Sequence, residues 1–186
     1  MFNLPDAVSW PSSVTEPLSE PGVAGVMIAP PPSLRTDDQI VTYYAQAVEA
    51  IGADIPFVIQ DYPLTLSVIM SPGVIRRIIM DNPSCVMLKH EDWPGLEKIS
   101  TLRKYEADGS LRHVSILTGN GGLFLDFEME RGADGAMTGY AFPELLIDIV
   151  RLSRAGTVAT PGFCVWVSAR VILVSWLSWN GSISPR

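Results

Sequence analysis

The sequence predicts an α/β protein with a parallel sheet, a partial TIM barrel made of about five of the eight (β/α) units of that fold. Three observations predict it. Short apolar segments alternate along the chain with longer segments whose apolar residues recur at helical spacing. The apolar segments are continuous, as in strands that are covered on both faces. The chain has 186 residues, whereas a complete (β/α)₈ barrel needs about 250.

The first unit begins at residue 23, after a lead-in without apolar periodicity. The segment VAGVMIA (23–29) is apolar throughout and runs into Pro30-Pro31-Pro32, which cannot extend a strand ladder. The run Thr36-Asp37-Asp38-Gln39 has the form of a capping box, and Gly52 is a plausible helix end. Between them, five residues form the predicted buried face of the helix: Ile40, Tyr44, Ala47, Val48 and Ile51.

Two further units follow. PFVIQ (56–60) is the second predicted strand, and Ser71-Pro72 opens a helix with Pro at its first position. That helix turns four apolar residues inward: Val74, Ile75, Ile78 and Ile79. CVMLK (85–89) is the third strand, and a helix from Pro94 to about Tyr105 completes the unit.

The last two units are shorter. VSILT (114–118) is the fourth predicted strand, followed by a helix from Gly121 to Glu130. ADGAMT (133–138) is the fifth strand, and the helix from Pro143 to Ser153 follows it. Its inward residues are expected to be Leu145, Leu146, Ile149 and Val150.

The pattern divides the chain into three parts. Residues 1–22 are rich in Pro and Ser and predict a loop or disordered lead-in, residues 23–156 form the partial barrel, and residues 157–186 are an apolar tail of unknown role. Residues 163–179 are shorter than the ~20 residues of a spanning helix and carry Arg170 near the middle. A buried hydrophobic end is therefore favoured, with membrane association of 163–179 as the alternative.

Composition excludes several classes of function. The net charge is -7 and no Lys/Arg cluster is present, which argues against a nucleic-acid surface; the pairs Arg76-Arg77 and Arg103-Lys104 are expected on solvated helix faces. Both histidines are isolated and Cys85 and Cys164 lie far apart, so no metal-site spacing occurs. These features, and an N-terminus without a signal-peptide pattern, predict a reduced cytoplasmic protein.

The residues that end the strands are the candidates for chemistry, because ligands of parallel α/β folds lie beyond the carboxyl ends of the strands. A lysine there, Lys89, ends an apolar strand. Loss of hydration favours its neutral amine, which can attack a ketone and form a Schiff base. The alternative is a strand-end lysine whose ammonium simply reaches solvent. Asp61 and Glu91 could act as acid/base groups or cap helices, and His90 should point away from Lys89 and serve structure.

The order of these strand ends resembles the dihydrodipicolinate synthase and N-acetylneuraminate lyase family of class I aldolases and lyases. The motifs that carry the resemblance are PFVIQDYP (56–63), VMLKHE (86–91), ILTGNGG (116–122) and GADGAMTG (132–139), after a first strand ending in Ala29-Pro30-Pro31. The resemblance implies that Lys89 forms an imine with a small 2-oxo acid such as pyruvate, without cofactor or metal. It also implies substrate contacts from five residues: Gln60, Thr118, Gly119, Met137 and Thr138.

Departures from the family pattern narrow the reaction. Gln60 stands where the family's proton-relaying tyrosine is expected, and an amide cannot act as an acid. The stretches Gln60-Asp61-Tyr62-Pro63 and 135–143 look most like the branch of 2-keto-3-deoxyarabonate dehydratase, which favours dehydration over lysine-pathway condensation. The family's Gly-x-x-Gly-Glu loop does not occur in this sequence, and the first three βα units are expected to be missing from it.

Two functions therefore stand side by side. The first is a Schiff-base lyase that cleaves or dehydrates a 2-keto-3-deoxy sugar acid. The second is a catalytically incompetent barrel fragment that acts by self-association, because an open parallel sheet exposes two edge strands. Under both interpretations a homo-oligomer is expected.

Overall fold

The computed structural model describes residues 22–93 and 95–156, and these form one parallel five-stranded sheet with helices between the strands. The strands are β1 (Val26–Ile28), β2 (Phe57–Asp61), β3 (Cys85–His90), β4 (Ser115–Thr118) and β5 (Gly135–Ala136), paired in chain order. The helices are α1 (Asp37–Ile51), α2 (Pro63–Leu66), α3 (Pro72–Asp81), α4 (Leu96–Ala107), α5 (Leu125–Glu130) and α6 (Pro143–Arg154). The predicted α/β fold with five (β/α) units of a barrel is confirmed. The apolar tail, and all of the lead-in except Gly22, lie outside the described residues.

Local sequence fixes the helix starts as expected. The Thr36 hydroxyl accepts a hydrogen bond from the Gln39 N–H at 3.3 Å, and the Gln39 side chain accepts one from the Thr36 N–H at 3.2 Å. Both bonds of the capping box are thus present, and Gly52, at φ 107°, ends the helix. The Ser71 hydroxyl caps α3 in the same way, accepting from the Val74 N–H at 3.2 Å.

Four local predictions differ from the structure. The helix predicted from Gly121 begins instead at Leu125, after a 3₁₀ turn, because Gly121 and Gly122 adopt left-handed φ angles of 67° and 73°. The fifth strand is two residues long, and only Ile149 of the four expected inward residues of α6 is buried. Arg103 is not on a solvated face: its guanidinium donates to the Gly132 carbonyl at 2.7 Å and pairs with Asp134 at 2.6 Å.

The hydrophobic core lies between the sheet and the helices. Ile59, Leu88 and Ile116 are neighbours in register on β2, β3 and β4, and all three are buried. Tyr44 of α1 is fully buried in the same core and donates its hydroxyl to the Ile28 carbonyl at 3.1 Å. Each such aromatic or branched side chain contributes roughly 1.5–3 kcal/mol by leaving water.

A bulge in β3 determines which residues face this core. Phe57 pairs with Cys85, but the next residue of β2, Val58, pairs with Met87, so Val86 is an extra residue. Beyond it, Leu88 and His90 are buried toward the helices, and Lys89 faces the other side of the sheet. Within the described residues, no helix is long and apolar enough to cross a membrane; residues 163–179 are not among them.

Candidate active site

The candidate site lies at the carboxyl end of the sheet, around Lys89, the penultimate residue of β3. Its Nζ atom lies 2.6 Å from Oε1 of Glu91, and both side chains are largely buried, with 17% and 9% of their surface exposed. Lysine and glutamate two residues apart on an extended chain point to the same side, which accounts for the contact. An ammonium and a carboxylate this close form a charge-assisted hydrogen bond, which is shorter and stronger than one between neutral groups.

Two neighbouring strands place Glu91. Its N–H donates to the Asp61 carbonyl at 2.8 Å, which continues the β2–β3 ladder beyond the last strand residue. Its side chain lies over Gly119, where a Cβ atom would come within 2.1 Å of Glu91 Cγ. The glycine therefore leaves the space that the carboxylate occupies. Sequence reasoning considered Glu91 only as an acid/base group or a helix cap, although its spacing from Lys89 already indicated that they share a face.

Gln60 is the neighbour of Lys89 on β2. The two residues are in register, so their side chains face the same side of the sheet. Gln60 is 7% exposed, and its Oε1 atom has no hydrogen-bond partner in the described part of the chain. A buried amide oxygen without a partner is costly, and a bound polar ligand would relieve that cost.

Of the other predicted substrate-binding residues, Gly119 lies at the Lys89–Glu91 pair, whereas the side chain of Thr118 lies on the opposite side of the sheet. Thr118 is fully buried in register with His90, so its side chain faces the helices, where its hydroxyl donates to the Gly135 carbonyl at 3.4 Å. Met137 donates its N–H to the Thr118 carbonyl at 2.8 Å, and the Thr138 hydroxyl accepts from the Gly121 N–H at 2.8 Å. Substrate contact by these residues stays a prediction.

Behind Lys89, on the helix side, lies a buried polar cluster. His90 and Asp61 are both fully buried, and the His90 Nδ1 atom lies 3.2 Å from Asp61 Oδ2. This confirms that His90 faces away from Lys89, and it places the Asp61 side chain away from Lys89 as well. Lys98 of α4 pairs with Asp61 Oδ2 at 2.9 Å and with Asp92 Oδ2 at 2.7 Å. Burial alone would raise the pKa of Asp92, but the hydrogen bond and charge of Lys98 outweigh it and lower the pKa.

Glu128 adds a buried carboxyl on α5. Burial raises its pKa above the ordinary glutamate value, and a hydrogen bond with Thr118 opposes the shift only in part. This carboxyl therefore favours its neutral form more than a solvated one does. No group of three or more His, Cys, Asp or Glu side chains in residues 22–93 and 95–156 is arranged to hold a metal ion.

A cleft of about 340 Å³ lies between α6 and the ends of β4 and β5. Except for Thr138 its lining is apolar, so it offers shape and no acid/base group. The lining residues are Leu117, Gly135, Ala136, Thr138, Pro143, Leu146, Ile147 and Val150.

Among the comparisons with known proteins, the one with solved structures finds proteins similar to this chain. No family model matches the chain, and no curated protein matches it. A dihydrodipicolinate synthase from Rhodopseudomonas palustris matches with 76% sequence identity and a TM-score of 0.72. A sialic acid aldolase from Ruminococcus gnavus matches with 20% identity and a TM-score of 0.66. YagE from E. coli, a protein of the dihydrodipicolinic acid synthase family solved in complex with pyruvate, matches with 17% identity and a TM-score of 0.63.

The matches cover most of this chain and about half of each relative. The first covers 73% of this chain and 45% of the R. palustris protein. The aldolase match covers 82% and 49%, and the YagE match 77% and 47%, respectively. The two matches of low identity support the fold alone.

Proposed function

The chain carries part of a barrel of the dihydrodipicolinate synthase family, and on that premise we propose that it acts as a lyase whose Lys89 forms a Schiff base with a 2-oxo acid. The observation that carries the proposal is the 2.6 Å contact between Lys89 Nζ and Glu91 Oε1 at the carboxyl end of β3. A nucleophilic amine and a carboxylate that can take its proton are thus side by side.

The steps follow from this pair. Glu91 accepts a proton from the Lys89 ammonium, and the neutral amine adds to the keto carbon of the substrate. Glu91 returns this proton to the hydroxyl of the adduct, which leaves as water, and the resulting protonated imine withdraws electrons from the neighbouring carbon. The Glu91 carboxylate, which lies beside the Lys89 nitrogen, then takes a proton from that carbon, and the product is an enamine.

Dehydration is the proposed continuation. In a 2-keto-3-deoxy sugar acid, the enamine expels the hydroxyl two carbons from the imine carbon, and this hydroxyl takes a proton from Glu91 and leaves as water. Hydrolysis of the remaining imine returns the Lys89 amine and consumes the water that imine formation released. Gln60, in register with Lys89 and with its Oε1 atom unpaired, is proposed to hydrogen-bond the substrate without transferring protons.

Aldol chemistry on pyruvate is the second candidate. It is favoured by the 76% identity to a protein named dihydrodipicolinate synthase. Both reactions share the imine at Lys89 and differ only in whether a carbon–oxygen or a carbon–carbon bond is broken or made. The comparisons give no support to a fragment that acts only by self-association.

The proposal also covers the cellular compartment and the oligomeric state of the protein. The buried Cys85 thiol suits a reducing compartment such as the cytoplasm. The unpaired outer edges of β1 and β5 in the described sheet support a homo-oligomer. Light scattering coupled to size-exclusion chromatography would measure the assembly, and a monomer at micromolar concentration would contradict it.

Borohydride trapping tests the proposed imine. The chain is incubated with millimolar pyruvate and sodium borohydride, digested, and the peptide that contains residues 86–91 is analysed by mass spectrometry. We expect the mass of one reduced pyruvyl group on Lys89, and none in Lys89→Met or without borohydride. Absence of the adduct on Lys89 in the unmodified chain would refute the proposal.

A further inference from the structure

We propose that Lys98 is a positioning residue that holds Glu91 against Lys89 from the opposite side of the sheet. The inference rests on the proposed function for its chemical meaning, but the contact it concerns can be measured without any substrate. Lys98 lies on α4 and touches neither Lys89 nor Glu91 in the described contacts; it acts through two aspartates.

The ion pairs of Lys98 join the two segments that flank Glu91. Its Nζ atom lies 2.9 Å from Asp61 Oδ2, at the end of β2, and 2.7 Å from Asp92 Oδ2, in the residue after Glu91. The Lys98 ammonium thus connects Asp61, at the end of β2, with Asp92, the residue that follows Glu91.

Burial makes this arrangement specific. Lys98 is 8% exposed and the Asp61 side chain is fully buried, so both charges are largely shielded from water. Buried charges that lose their partner are strongly disfavoured, and the surrounding chain shifts to hydrate them. His90 completes the cluster through its contact with Asp61, and Gly95 leaves space for its ring, since a Cβ atom there would lie 2.1 Å from His90 Nε2.

The cluster reaches Glu91 through the backbone. The Glu91 N–H donates to the carbonyl of Asp61, the residue whose side chain Lys98 holds. The next residue, Asp92, is held by the same ammonium. The Glu91 backbone is therefore held at its own amide and at the adjacent residue. Its side chain lies over Gly119 and contacts Lys89.

The experiment measures the amine reactivity of Lys89. Trace labelling with acetic anhydride modifies only neutral amines, and the label on Lys89 is quantified by mass spectrometry relative to the unfolded chain. Glu91→Gln removes the carboxylate that holds the ammonium, and we expect labelling of Lys89 to rise about tenfold. Lys98→Met should raise it to within about threefold of that value, and Lys98→Arg should restore it toward the unmodified level.

Matched variants separate positioning from folding. Lys104→Met, on the same helix, removes a lysine that makes none of the cluster's contacts and should leave Lys89 labelling unchanged. If Lys98→Met fails to fold, Asp92→Asn serves instead, because it keeps the buried Lys98–Asp61 pair and releases one of the two anchors; an increase of several-fold in labelling is expected.

Two results would overturn the inference. One is a Lys89 reactivity in Lys98→Met, or in Asp92→Asn where that variant replaces it, equal to that of the unmodified chain while Glu91→Gln raises it. The other is no change in Glu91→Gln itself, since Glu91 would then not hold Lys89. Neither depends on imine formation, so failure of pyruvate trapping would refute the proposed function and leave this measurement intact.

Discussion

The Nζ atom of Lys89 lies 2.6 Å from Oε1 of Glu91, although the residue between them, His90, faces the opposite side of the sheet and pairs with Asp61. Three consecutive residues thus belong to two separate groups of side chains, one on each side of the sheet. Lys89 and Glu91 form the proposed reactive pair, and His90 belongs to the buried cluster that supports it.

Replacement of Glu91 should separate imine formation from proton transfer. In Glu91→Gln, borohydride trapping of pyruvate on Lys89 is expected to persist, because the amine remains. Exchange of the pyruvate methyl protons with deuterated water, followed by proton NMR, should slow by about 10²- to 10³-fold, the usual contribution of a general base. Glu97→Gln, which alters an exposed glutamate on α4, is the control. Exchange at the unmodified rate in Glu91→Gln would assign the base elsewhere.

A methyl group at position 119 should have a similar effect although neither charged residue is replaced. A Cβ atom there would lie 2.1 Å from Glu91 Cγ, so Gly119→Ala must displace the carboxylate from Lys89. We expect deuterium exchange into pyruvate to fall at least tenfold. Gly139→Ala is the matched control, since a Cβ atom at Gly139 meets nothing within 4 Å. Equal rates in the two variants would show that Glu91 has another productive position.

The stability lost when a side chain of β3 is truncated to alanine should depend on the face of the sheet to which that side chain points. Leu88 is fully buried against the helices, and Leu88→Ala is expected to lower the free energy of unfolding by about 2–5 kcal/mol. Val86 is 46% exposed, and Val86→Ala should cost about 0.5 kcal/mol or less. Urea denaturation followed by circular dichroism gives both values. Equal losses would contradict the assignment of the core to the helix side.

Glu128 predicts how stability changes with pH. Burial raises the pKa of its carboxyl above the ordinary value of 4.5, so the folded state holds this proton more tightly than the unfolded state. Its contribution to stability is therefore complete below pH 4.5 and is lost as the pH rises through the folded pKa. Relative to Glu128→Gln, the unmodified chain should lose stability between pH 4.5 and neutrality, as measured by urea denaturation at each pH. A difference between the two that is constant with pH would contradict the raised pKa.

Much of the fold could be predicted because its signals are local. The capping residues Thr36 and Ser71 fix two helix starts, and the continuous apolar runs identify the strands. The Gly121–Gly122 pair was misassigned to a helix, since sequence periodicity does not report the left-handed φ angles that both glycines adopt. The resemblance singled out Lys89 at the end of an apolar strand.

The supporting contacts of the site are not local, and sequence could not supply them. Lys98 and Asp61 are 37 residues apart, and nothing in either segment indicates the other. Asp61 was expected as an acid/base candidate because it ends a strand, but a strand-end residue can face either side, and its side chain is held by Lys98 on the helix side. Glu91 was within reach of prediction, since residues two apart on a strand share a face.

The extra residue in β3 has a consequence for how this protein can vary. Because Val58 pairs with Met87 and not with Val86, the alternation of the strand is reset there, and Lys89 lies opposite Gln60. Val86 is thus the residue by which β3 exceeds β2, and its identity is nearly free, so substitutions at this position should be tolerated by natural variants. Deletion of Val86 would make the pairing regular and leave Lys89 opposite Gln60, whereas an additional residue between Met87 and Lys89 would shift the register and turn the proposed nucleophile into the hydrophobic core.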